Sequence, residues 1–424
     1  MRSQGFRISQ DQIARSNRKF REDLDAEYQA LGMMLRRRKV EIDEVVKKLR
    51  GFQVAIPSWG TVTGGTRFGR FPIPGLPRDI FEKLDDAGTV HQLTGATPRV
   101  SLHFPWDKTD DLGGLKKRAR SLGLGFDAVN SNTFEDQPGQ EWSYKFGSLS
   151  HTEPEVRDQA VAHNLEVIGS GKKLGAKAIS IWIGDGANFP GQTSFRKSFA
   201  RYIESLKKIF RGMPKDWRML IEYKPFEPAF YYTVLADWGS ALMASMAVGE
   251  RCQVLVDLGH HLPGTNVEAI VARLIQAGKL GGFHLNDSQY ADDDLTAASI
   301  APYRLFRIFW ELVSARAELG GKFQPAYLID QSHNLKDPIE ALIQTTMELQ
   351  IIRAKALLID REALSFFQDR NDVLQAEAEL KQAFDTDTRP IAGMARMLSG
   401  GGISPIELYR ESGYRKAKKR ERGG

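Results

Sequence analysis

Four short apolar runs between residues 217 and 332 each end in an acid or a histidine. They are Met219-Leu220-Ile221-Glu222, Val254-Leu255-Val256-Asp257, Gly282-Phe283-His284 and Tyr327-Leu328-Ile329-Asp330. A carboxylate or imidazole at the end of a buried strand must be paired or bound, because an isolated buried charge is costly. On successive strands of one sheet, Glu222, Asp257, His284 and Asp330 would face a common point. Three carboxylates and an imidazole suit a divalent cation: Mn²⁺ first, with Mg²⁺, Co²⁺ and Zn²⁺ also compatible. More ligand types follow closely: His260 lies three residues past Asp257, and Asp292-x-Asp294 follows His284. With Glu222 as a bridge, His260, Asp292 and Asp294 would hold a second ion, and paired ions are a known catalytic arrangement. Lys224, two residues after Glu222, would face the same cavity and neutralise a developing oxyanion. His261, Asp287 and Asp293 each sit beside a better candidate, and His333 lies beyond Asp330; these are expected to support the site or face solvent.

Aromatic and polar residues recur at the other strand ends. Trp59 follows the first strand, His103 and Trp106 close the second, Phe134 follows the third, and Trp182 ends the fourth. Flat aromatic faces beside metal ions and a histidine suit a polyhydroxylated sugar. Phe68, on the Gly-rich stretch Gly64-Gly65-Thr66-Arg67-Phe68-Gly69, reaches either a neighbouring subunit or its own surroundings.

The elements that must position these groups are legible as an alternation. Apolar strand-like runs fall at 53–57, 98–104, 124–130, 177–183, 217–223, 252–258, 280–285 and 325–330. Helical patterns fill the intervals, as at 154–174, 194–212, 266–278, 301–319 and 337–356. Strands separated by helices imply parallel pairing, and eight repeats imply closure into a (β/α)₈ TIM barrel. An open doubly wound sheet would want a Gly-rich phosphate turn after the first strand. Ser58-Trp59-Gly60-Thr61-Val62-Thr63-Gly64-Gly65 does not match one. The expected organisation is an N-terminal helical segment (1–50), a barrel catalytic domain (51–336), and a C-terminal helical extension with a basic tail (337–424).

Charge and composition narrow the partners. Residues 409–424 hold seven Lys/Arg against Glu411 and Glu421, a balance of +5 out of the formal +6, so the other 408 residues carry about +1. The body therefore lacks a general positive excess for nucleic acid, and the tail reads as a solvated, frayed end. No apolar run approaches the ~20 residues that span a bilayer. The N-terminus lacks the apolar stretch of a signal peptide, and Cys252 is the single cysteine; a cytoplasmic setting is expected.

These residues bring a family into view. The chain resembles the bacterial L-rhamnose isomerases, which belong to the xylose-isomerase-like barrels. The likeness runs over almost the full length. It rests on Ile221-Glu222-Tyr223-Lys224-Pro225-Phe226-Glu227-Pro228, Val256-Asp257-Leu258-Gly259-His260-His261, Phe283-His284-Leu285-Asn286-Asp287 and Asp292-Asp293-Asp294. The resemblance implies Glu222, Asp257, His284 and Asp330 around a structural metal, and Glu222, His260, Asp292 and Asp294 around a catalytic one. It implies Lys224, His103, Trp59, Trp182 and Phe134 in the sugar pocket, with Phe68 supplied by a neighbouring subunit of a homo-dimer or tetramer. The expected activity is a metal-dependent aldose–ketose isomerisation by hydride shift, L-rhamnose to L-rhamnulose, with no organic cofactor. Lys224, Asp292, Asp294 and His103 are the expected catalytic residues. An enediol route stays open, as do a sugar epimerase or dehydratase on the same barrel and an endonuclease-type metal phosphodiesterase.

Overall fold

The computed structural model describes residues 5–64, 71–227, 231–332 and 335–423. The strands in chain order are β1 (Ala55–Pro57), β2 (Arg99–Phe104), β3 (Gly125–Ser131), β4 (Ala178–Ile181), β5 (Arg218–Glu222), β6 (Phe226–Glu227), β7 (Tyr231–Tyr232), β8 (Cys252–Asp257), β9 (Leu280–Leu285) and β10 (Ala326–Ile329). Eight of them close into a parallel barrel in the order β1-β10-β9-β8-β5-β4-β3-β2, with helices in the intervals. Each expected run coincides with one barrel strand to within two residues. The short antiparallel hairpin β6–β7 was not expected; it follows β5 directly and pairs Phe226 with Tyr232.

Local sequence explains the helix ends. The first helix, Gln10–Arg36, starts at Ser9, whose side chain accepts from Gln12 N while the Gln12 side chain accepts from Ser9 N. This reciprocal pair satisfies two donors that a helix start leaves orphaned. Helix Pro154–Leu174 opens on a proline and closes on Gly175 at φ +96°, where a side chain would be strained. Residues 361–385 form two helices, Arg361–Asp369 and Val373–Asp385, broken where Asn371 turns to φ +55°.

The strand interiors form the core. Ala128, Ala178, Leu220 and Leu255 make a small buried cluster with Ala326 against it. It separates the two mouths of the barrel. Register sets the level of the site: Asp257 pairs with His284, and Leu328 with the same His284, so Asp330 stands just past it.

The basic tail is not frayed. Residues Tyr414–Arg422 form a helix packed on the barrel's flank, with Lys418 and Arg422 buried. Arg422 donates Nη1 to Asp86 Oδ2 at 2.9 Å and Nη2 to Asp86 Oδ1 at 2.8 Å, and Tyr414 donates its hydroxyl to Asp86 Oδ1 at 2.7 Å. Arg415 grips Asp337 through Nε and Nη2 at 2.7 and 2.9 Å. Four of the charges counted as solvated are thus spent: Arg410 too meets Glu340 at 2.7 Å, and Lys418 meets Glu421 at 2.8 Å. Among the described residues no helix is long and apolar enough to cross a membrane.

Removing one partner of a buried ion pair strands the other's charge. Arg422→Ala is therefore expected to destabilise the protein by ~3–5 kcal/mol, while Arg420→Ala, on the exposed side of the same helix, stays within about 0.5 kcal/mol. Urea midpoints of the two variants check this, and equal midpoints would refute the clamp.

Candidate metal and sugar site

Glu222, Asp257 and His284 stand at the C-terminal ends of β5, β8 and β9 or one residue inside, and Asp330 directly follows β10. One ligand atom from each lies within 4.8 Å of the other three. A divalent ion holding such donors at ~2.1–2.2 Å would place opposite ones roughly 4.3 Å apart. The four residues therefore fit a divalent cation with little contraction. His284 Nδ1 lies 3.1 Å from Glu222 Oε1, 3.1 Å from Asp330 Oδ2 and 3.6 Å from Asp257 Oδ2. Burial opposes a charge on this imidazole, but the three carboxylates outweigh it and push its pKa well above the ordinary value. Asp257, fully buried, is held below the usual carboxylate range because His260 and His284 overcome the cost of burial.

The carboxylates are also held from behind. Asp257 Oδ1 accepts from Gly259 N at 2.7 Å and from Asn286 Nδ2 at 3.0 Å. Trp59 Nε1 donates to Asp330 Oδ1 at 2.9 Å, so this tryptophan orients an acid as well as walling the cavity. Such outer contacts fix ligand orientation. Asn286 could have been flagged from Phe283-His284-Leu285-Asn286, where it alternates with His284 along an extended segment.

The second set is drawn together through His260. Its Nδ1 lies 3.0 Å from Tyr223 O and 3.3 Å from Glu222 Oε1, and its Nε2 3.3 Å from Asp292 Oδ1. With Nδ1–H donated to the Tyr223 carbonyl, Nε2 is left free to ligate. Burial works against the charged form, yet Asp257, Asp292 and Glu222 raise the His260 pKa to about 9. Asp292 Oδ2 meets Lys224 Nζ at 2.8 Å, and Glu227 Oε2 meets the same ammonium at 2.6 Å. These two acids overcome burial and lift Lys224 to about 12. Glu227 escaped sequence reading, although its three-residue spacing from Lys224 was the available signal. Asp294, buried at φ +49°, lines the same cavity and lies 3.4 Å from Asn286 Nδ2.

One cavity of about 760 Å³ joins these groups to the aromatic wall. Along the wall Trp59, His103, Phe134 and Trp182 follow in contact: centroids are 5.6 Å apart for Trp59–His103, 5.8 Å for His103–Phe134 and 4.7 Å for Phe134–Trp182. Trp106 stacks on His103 at 3.8 Å, and Lys224 Nζ sits 5.1 Å from the Trp182 ring. Burial and the nearby Lys83 push His103 down to about 3, so its imidazole is neutral. Its backbone is anchored by Asp107, which also takes Lys83 at 2.7 Å.

Phe68 and His333 lie outside the described residues. The other three doubtful acids and histidines support loops. Asp287 accepts from Ile300 N, Ala301 N and Arg304 Nη2, each at 2.9 Å. Asp293 caps Gln289 N and Tyr290 N. His261 Nε2 lies 2.7 Å from the Tyr223 hydroxyl.

Residues 82–307 match the family described as xylose isomerase-like TIM barrel. The chain belongs to that family. It is 53% identical to a probable sugar isomerase of Rhizobium meliloti and 54% identical to one of Mesorhizobium japonicum, each over 96% of this chain and 95% of the relative. It is 28% identical to the xylose isomerase of Thermus thermophilus, over 55% of this chain and 65% of that enzyme. Among solved structures, an L-ribulose 3-epimerase superposes with a TM-score of 0.52 at 15% identity, covering 73% of this chain and 98% of that one, a likeness of fold.

The raised imidazoles make metal binding a proton exchange. In metal-free protein His260 and His284 both carry protons at pH 7, so uptake of Mn²⁺ is expected to release protons and to tighten as pH rises toward about 9. Stability of the metal-free chain runs the other way. The His260 contribution is complete below the ordinary 6.5 and is lost as pH climbs through about 9. Titration calorimetry in buffers of differing ionisation enthalpy reads the released protons; heats independent of buffer would contradict the assignment.

Proposed function

We propose that this protein is a metal-dependent aldose–ketose isomerase acting on L-rhamnose to give L-rhamnulose. The observation that carries the reading is one cavity lined by Glu222, His284 and Asp330, with Asp257 buried within ligand distance of them, beside a charged lysine and an aromatic wall. The two relatives named as probable sugar isomerases, similar along nearly the whole chain, support the reaction class. The motifs around Glu222, Asp257 and His284 support rhamnose as the sugar.

The sugar's C–H faces would rest on Trp59, Phe134 and Trp182, and its hydroxyls would meet the polar groups between them. His103, neutral and lining the cavity, would accept a hydroxyl proton as the ring opens. Lys224 would donate to O1 and stabilise the charge that gathers there. Asp292 and Asp294 would take the O2 proton and pass it on to O1, so that O2 becomes the ketose carbonyl and O1 its hydroxyl. Divalent ions held by the Glu222-Asp257-His284-Asp330 and Glu222-His260-Asp292-Asp294 sets would supply Lewis acidity toward the sugar oxygens. Hydrogen would pass between C1 and C2 within the substrate, so no organic electron carrier is required.

Incubation with Mn²⁺ and L-rhamnose should yield L-rhamnulose faster than any other aldose in a panel yields its ketose. A panel in which another aldose leads would move the substrate, and silence across the panel would end the reading. In D₂O the L-rhamnulose formed should carry no solvent deuterium at C1; incorporation there would establish the enediol route instead. Glu222→Ala should lose both metal and turnover, whereas Lys224→Met should keep its metal and lose roughly 10²–10³ in kcat. Elemental analysis beside the assay separates the two outcomes.

A further inference from the structure

A second cavity, of about 710 Å³, opens at the other mouth of the barrel, where the strands begin. Six cationic side chains line it: Lys48, Arg99, Arg218, Arg316, Arg353 and Arg361. The carboxylate among its lining residues is Asp127. An adjoining hollow shares Arg99, Asp127 and Arg218 and adds Lys116, Arg120 and Lys177. Positive charge that the chain's overall balance hides is thus gathered at one concave place.

Acids cancel only part of it: among the described residues Lys177 meets Asp216. Asp127 reaches Arg99 only at 4.0 Å, and Glu318 meets Arg361 at 3.4 Å. Arg218 donates instead to neutral oxygens, Gln324 O at 3.1 Å, Gly281 O at 3.3 Å and Gln253 Oε1 at 3.3 Å. Arg316 donates to Phe323 O at 2.7 Å. Arg353 lies against the rings of Phe52 and Phe309, with centroids 5.4 and 5.6 Å from its guanidinium carbon. Its Nη1 is sealed from solvent and has no hydrogen-bond partner. Arg353 is half-buried, and because a guanidinium cannot shed its charge, burying part of it without an anion is costly. Several guanidinium groups lining one concavity suit the oxygens of phosphate groups, which such forks bind in bidentate fashion.

We propose that this basic cavity binds a small molecule bearing a di- or oligophosphate group. The site lies beyond the metal and sugar reading and does not rest on it. Its volume suits a small anion, with apolar lining from Leu312, Phe323 and Leu357 available to an organic part.

Pyrophosphate and ADP, titrated calorimetrically into the full chain, test the proposal. Saturable one-to-one binding is expected. It should weaken at least ten-fold in Arg353→Met, several-fold in Arg361→Glu, and not at all in Glu222→Ala, which alters the opposite mouth. Tighter binding of ADP identifies a nucleotide-like ligand, and equal binding identifies the phosphate chain alone; both uphold the site. Should Arg353→Met fail to fold by circular dichroism, Arg361→Glu carries the test, because that side chain is exposed. The proposal is overturned by absence of saturable binding, by binding that neither cationic variant weakens, by loss in Glu222→Ala, or by duplex DNA outcompeting both probes.

Discussion

The constraint from which the rest follows is the crowding of like charge in a buried place. Glu222, Asp257 and Asp330 come within ligand distance of one another where water screens them poorly. Left alone, their repulsion would drive the strand ends apart or force one of them to take up a proton. The chain resists in two ways. It supplies cations, through His284 and His260. It also anchors two of the acids from behind with donors that have no charge to lose: Gly259 N and Asn286 for Asp257, Trp59 for Asp330. The parallel ladder of β5, β8, β9 and β10 then holds all of them at one level. Donors so arranged are organised before any ion arrives, so binding does not have to meet the cost of assembling them.

The same parallel arrangement segregates charge along the barrel. Every strand points the same way, so residues at strand starts collect at one mouth and residues at strand ends at the other. Arg99 and Arg218 open β2 and β5, while Glu222 and Asp257 close β5 and β8. Ala128, Ala178, Leu220 and Leu255 lie between. A plug of small and aliphatic side chains keeps the acidic and basic ends from neutralising each other, and each end is left needing a partner of opposite sign from outside.

Much of this was legible in sequence, for identifiable reasons. A barrel strand buried on both faces is a short continuous apolar run, which shows without any knowledge of its neighbours. A residue that terminates such a run must stand at a mouth, so Glu222, Asp257, His284 and Asp330 could be grouped before their distances were known. What escaped depends on long-range partners or on backbone turns. The tail looked solvated because seven cations in sixteen residues resemble a charge run; their acids, Asp86, Glu340 and Asp337, lie 70 to more than 300 residues away. Lys224 was expected to meet a substrate oxygen, and its grip on Glu227 was not foreseen because the turn into the β6–β7 hairpin carries no strong periodic signal. The break at Asn371 interrupts a pattern that is helical on both sides, and only its left-handed backbone reveals it.

His103 and His260 show why residue type alone does not assign a role. Both are buried imidazoles lining one cavity, and burial depresses the charged form of each. Around His260 stand Asp257, Asp292 and Glu222, and their summed attraction overrides burial. Near His103 the charged neighbour that counts is Lys83, which acts in the same direction as burial. One ring is therefore charged and the other neutral at the same pH, a separation set wholly by neighbours. The neutral ring lies among tryptophans and phenylalanine, where an uncharged acceptor can meet a hydroxyl without attracting metal-ligating acids toward it. The charged ring lies among carboxylates, where its proton keeps the place that a divalent cation can take over. The cavity thus has an aromatic side with a neutral imidazole and an acidic side with a charged one.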